Sequence, residues 1–246
     1  MLSLISAEML KIRKRRATWI MFAIFLVLIA FIVIGIRQIV AGEEGVDSED
    51  LALANAALRF PVGYGVLLQF VSEMGRWTAI VFAALVVGSE YGWGTVRQVM
   101  ARGASRNRYL AAKLAAIDLS LLMGMLLVLL LGAGFMFLGD LLADGWDPIL
   151  PDGFFGDLAV DSLRTLVVLR AFAMVSFCIA VLTRSAAAGL GLGLGYLFVE
   201  AILQPIFGAI GGFWNDLAAF LLTSLASSVM AGNNLGAGEF FGDGAG

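Results

Sequence analysis

Three ionisable side chains fall inside otherwise apolar stretches. Glu73 and Arg76 are three residues apart, which puts them on one helix face. Glu200 is the single charge between Ala186 and Phe207. Charges at membrane depth are costly and mark pathways or proton relays, unless a partner satisfies them. Glu73 and Arg76 read either as a gating or pathway pair, or as an ion pair near the outer end of a long helix, partly among headgroups. Glu200 reads either as a functional carboxylate or as one satisfied by Arg76 or Arg170. Enzyme chemistry has little else to draw on. There is no histidine, which removes the usual general base and the commonest metal ligand. Cys178 is the single cysteine, so no intramolecular disulfide forms. No Gly-x-Ser-x-Gly elbow occurs, and no GxxxxGK[ST] phosphate loop or D-x-[DN]-x-[DN]-G calcium loop. An intramembrane enzyme is therefore disfavoured. An ion-coupled secondary carrier built on Glu73, Arg76 and Glu200 stays open as an alternative, although such carriers show internal repeats and none is visible.

The other charge-rich stretch is GSEYGWGTVRQVMARGASRNRYLAAK, residues 88–113, which lies between two long apolar runs. It sets Glu90 against Arg97, Arg102, Arg106, Arg108 and Lys113. Thr95 can cap a helix whose apolar face is Val96, Val99 and Met100, and Gly103 can end it. The spacing predicts a short helix lying across the membrane surface. Basic residues here either bind a partner or merely hold topology.

These groups must be carried by membrane-spanning helices. The 246 residues are 61% hydrophobic and 14% charged, against about 25% charged in soluble domains. Mean hydropathy is +0.94. An all-α integral membrane protein follows, a polytopic helix bundle with five clear spans at about 17–37, 65–88, 114–139, 164–183 and 186–207. The run Ala17–Ile36 is 20 uncharged residues, too long for a signal-peptide core, and reads as a retained span. Residues 1–16 carry Leu2, Ile5, Met9 and Ile12 at helical spacing, followed by Lys11, Arg13, Lys14, Arg15 and Arg16. They read as an amphipathic interfacial helix, or else as a basic tail. GLGLGLG at 189–195 offers small-xxx-small spacing for close helix packing. Arg164 and Arg170 snorkel or pair with Asp161. Residues 211–231 are short for a span and read as a re-entrant or interfacial segment; 232–246 read as a flexible tail. With the N-terminus cytoplasmic, 11 of the 16 cations lie inside, as the positive-inside tendency requires. Acidic stretches, Glu43–Asp50 and Asp140–Asp161, then lie outside.

The loop order Glu90, Gly94-Thr95, Arg97, Gly103-Ala104-Ser105-Arg106 and Lys113, with the basic helix at 1–16 ending in Thr18-Trp19, resembles the permease subunits of type 2 ABC transporters over roughly residues 1–210. The resemblance implies that residues 89–113 are a cytoplasmic coupling loop. Glu90, Gly94, Thr95, Arg97, Gly103, Arg106, Arg108 and Lys113 are its coupling residues. It further implies an exporter in a prokaryotic cell membrane, a second permease subunit in a homodimer or heterodimer, and a separate ABC ATPase. ATP and magnesium would sit in that ATPase, with no cofactor bound here and no nucleic-acid partner. The family carries six spans, one more than the five read here.

Overall fold

The computed structural model of the protein describes residues 2–42, 60–61, 63–92, 96, 100–101, 105–143, 150, 152–233 and 235. Among these every regular element is an α-helix: α1 Leu2–Lys14, α2 Arg16–Gly42, α3 Gly63–Gly92, α4 Arg106–Ala143, α5 Phe154–Thr183, α6 Ala186–Ile210, α7 Phe213–Ala219 and α8 Leu222–Met230. Four are long and apolar enough to cross a membrane: α3, the Arg106–Phe137 part of α4, α5 and α6. The first span expected from the sequence lies within α2, whose Arg16–Phe31 portion is a shorter apolar helix. The segment expected to be re-entrant or interfacial forms the two short helices α7 and α8.

Helix α3 is the centre of the bundle. It packs on α5 and α6 over most of its length and touches α2 and α4 on its other side. Leu68, Ile80 and Val87 of α3 and Phe172 of α5 are fully enclosed. In lipid, apolar burial gives helices no reason to associate, so close approach of backbones must supply the attraction. The glycines of α6 provide it. A Cβ on Gly189 would stand 2.7 Å from the Ala180 methyl, and one on Gly193 would stand 2.8 Å from Ile80. The approach also lets the Ser176 hydroxyl donate to the Gly189 carbonyl at 3.1 Å. The alternate pair, Gly191 and Gly195, faces open space. Outer helix faces carry exposed Leu130, Leu182 and Ile202, which suits lipid and not water.

The α5–α6 turn is short because two residues do the work. Arg184 takes a left-handed conformation (φ 54°) and its N–H caps the Ala180 carbonyl. Ser185 is extended, and its hydroxyl accepts the Ala188 N–H at 3.3 Å to start α6. At the far end of α6, Gly211 and Gly212 both have positive φ and turn the chain into α7. Helix α8 then folds back against α5.

Candidate functional site

Length positions the site. The 30 residues of α3 and 38 of α4 span roughly 45 and 57 Å, well beyond the roughly 30 Å of hydrocarbon. The last turn of α3 and the first turns of α4 therefore stand at one end of the bundle, and α1 packs across the start of α4 there. Helical spacing puts Glu8 and Lys11 on one face of α1, beside buried Ile12. The same spacing stacks Tyr109 over Lys113 on α4.

These elements converge on a closed charge network. Lys113 is completely buried, and its ammonium lies 2.7 Å from one Glu8 oxygen and 3.1 Å from Glu90. It also donates to the Val86 carbonyl at 3.4 Å and lies 5.4 Å from the centre of the Tyr109 ring. Lys11 bridges the same two carboxylates at 2.7 and 3.1 Å. The Tyr109 hydroxyl donates to the remaining Glu90 oxygen. Two cations thus face two carboxylates across three helices that are up to 105 residues apart in sequence. Burial disfavours the charged form of Lys11, but the Glu8 and Glu90 carboxylates outweigh it and raise its pKa above the usual lysine value.

Beside the network opens a cleft of about 940 Å³, lined by Tyr91, Met100, Arg106, Tyr109, Val181 and Arg184 among others. Tyr109 is shared: its ring forms cleft wall and its hydroxyl holds Glu90. Arg106 reaches this cleft from the start of α4 and Arg184 from the α5–α6 turn, and both are exposed. Arg108 is exposed outside the cleft lining.

Of the eight loop residues singled out from the sequence, the structure joins Glu90 and Lys113 and places Arg106 in the adjoining cleft. Gly94, Thr95, Arg97 and Gly103 lie outside the described residues. Sequence reasoning missed Glu8 and gave Tyr109 no role. A signal existed: Glu8 is the single acid among the first 16 residues, three positions before a lysine.

The intramembrane charges each have a partner. Arg76 pairs with Glu73 and stacks its guanidinium 5.9 Å from the Phe172 ring. Arg170 pairs with Asp118 of α4 at 3.2 Å, and Arg164 with Asp161 at 3.1 Å. Glu200 is buried, within electrostatic reach of Arg76. It accepts the Tyr196 hydroxyl at 2.5 Å and the backbone N–H groups of Leu222 and Thr223 at 2.6 and 3.2 Å, with the Thr223 hydroxyl as a fourth donor. A carboxylate thus sits on the N-terminus of α8, where the first N–H groups of a helix lack internal partners. Among the described residues no group of His, Cys, Asp and Glu could hold a metal ion.

Residues 4–200 match the family model described as ABC-2 family transporter protein. The chain belongs to that family. The match takes in the Glu8–Glu90–Lys113 network and the loop, and ends at Glu200, before α7 and α8. As an ABC-2 family member, the chain is a multi-pass membrane component of a transporter. It is similar to the uncharacterized protein YhcI of Bacillus subtilis (strain 168), at 29% identity over 56% of this chain and 55% of the relative. The chain therefore spans about half the length of that curated relative. No solved structure matches this ABC-2 family chain.

Proposed function

We propose that the chain is a permease subunit of an ATP-driven exporter in a prokaryotic cell membrane. It pairs with a second permease subunit to form the translocation path. A separate ABC ATPase docks on residues 89–113, the coupling loop, from the cytoplasm. The observation that carries this reading is the Glu8–Lys113–Glu90–Lys11 network. A loop that must pass force to the spans needs rigid anchors at both of its ends. Here Glu90 and Lys113 are those ends, tied to each other and to α1 by charges too buried to break cheaply. The open cleft beside them, with exposed Arg106 and Arg184 on its walls, suits acidic and apolar side chains of the motor. The cation distribution supports a cytoplasmic position for this end.

The test is co-purification with an ABC ATPase subunit from the same organism. Arg106→Glu together with Arg184→Glu is expected to weaken capture at least tenfold while leaving thermal stability unchanged, since both side chains are exposed. Undiminished capture and transport by that variant counts against the docking site.

A further inference from the structure

A second concave surface lies against α1, lined by residues other than those of the charge network. It is a groove of about 730 Å³ between α1, the start of α2 and the middle of α4. Its walls are apolar, with Leu10, Trp19 and Met123 among the exposed hydrophobics that line it. It shares wall residues Thr18, Phe22, Ser120 and Gly124 with an adjacent apolar cavity of about 130 Å³ between α2, α3, α4 and α5. The rim is cationic. Arg13 lines the groove, and Lys14 and Arg16 are exposed beside it. Among the described residues none of these three makes an ion pair. The acid of α1, Glu8, is turned away and neutralised by Lys11 and Lys113. Trp19 is fixed at the mouth, its indole N–H donating to the Arg13 carbonyl at 2.7 Å.

We propose that this groove binds one anionic phospholipid, its acyl chain between α1 and α4 and its phosphate on Arg13. A trough with apolar walls on α1, α2 and α4 accepts a hydrocarbon chain. A rim with exposed cations, none of them ion-paired among the described residues, selects negative charge, at about fivefold in affinity per Lys or Arg near the surface. A tryptophan held at the junction marks the interface level, where such rings partition. The site requires only that the chain sits in a bilayer, so its failure leaves the ATPase-coupling reading untouched.

The test uses the full-length chain in phosphatidylcholine vesicles doped with acyl-brominated lipid, either phosphatidylglycerol or phosphatidylcholine at equal mole fraction. Trp19 quenching is isolated from the five tryptophans by subtracting the Trp19→Phe signal. Brominated phosphatidylglycerol is expected to quench Trp19 as if enriched several-fold over its bilayer fraction, and brominated phosphatidylcholine at its bilayer fraction. Arg13→Gln lowers the enrichment about fivefold, and it leaves the Trp19 hydrogen bond intact because the acceptor is backbone. Gly124→Leu removes the enrichment by filling the trough; a Cβ there meets nothing within 4 Å, and unchanged helicity by circular dichroism checks that the fold is retained. Equal quenching by both lipids means unselected boundary lipid and overturns the proposal. So does absence of quenching by either lipid, which means that protein covers the groove. Enrichment that survives Gly124→Leu puts the lipid outside the groove and overturns it as well.

Discussion

Replacing Lys113 by methionine removes one ammonium and keeps the side chain's bulk. Glu8 and Glu90 then keep Lys11, whose side chain is 42% exposed against 8% and 2% for theirs, and Glu90 keeps the Tyr109 hydroxyl. Removing one member of a buried ion pair strands the other charge at about 3–5 kcal/mol, whereas losing both members together is far cheaper. Lys113→Met alone is therefore expected to cost about 3–5 kcal/mol. At about 2–4 °C per kcal/mol for a chain of this size, the thermal midpoint in detergent falls by roughly 6–20 °C. The double variant Glu90→Gln, Lys113→Met should recover at least about 1.5 kcal/mol relative to the sum of the single changes, because the stranded charge is then gone. Scanning fluorimetry on wild type, both single variants and the double closes the cycle. A single variant within about 0.5 kcal/mol of wild type, or strictly additive losses, refutes the claim that these charges act as one buried unit.

Other outcomes follow from the packing. Gly193→Val drives a branched side chain into Ile80 and Ser176 and should destabilise by about 1–3 kcal/mol, while Gly191→Ala, in open space, should be neutral or stabilising by up to about 1 kcal/mol; thermal melts of the two separate them. Glu200→Gln keeps the shape but loses the charge on the N-terminus of α8, a change of about 1–2 kcal/mol, and hydrogen exchange at Leu222 and Thr223 should rise while exchange in α3 does not.

Much of the bundle was legible because hydropathy and length speak for single helices. The apolar runs, the Arg184–Ser185 interruption and the Gly189–Gly193 spacing are local patterns, and each has a local cause in the folded chain. What was not legible lies between helices. Glu90 and Lys113 were singled out as loop residues, but their joint partner Glu8 is 105 residues from Lys113 and sits in a segment dominated by basic residues. Asp118 finds Arg170 on another span for the same reason. Glu200 was weighed against arginine partners, since side-chain reasoning looks for opposite charge. Backbone N–H groups of α8, together with two hydroxyls, hold it, with Arg76 within electrostatic reach. Such donors have no sequence signature, because every non-proline residue carries one.

The central claim is that the network end of the bundle faces the cytoplasm and is covered there by a motor subunit. Cys178 is the single cysteine, so Cys178→Ala gives a clean background for Arg108→Cys, an exposed position beside the cleft. A membrane-impermeant maleimide should label this variant in inverted membrane vesicles and not in right-side-out vesicles, and labelling should fall when a partner ABC ATPase is co-expressed. Labelling from the outer side of sealed right-side-out vesicles would contradict the account.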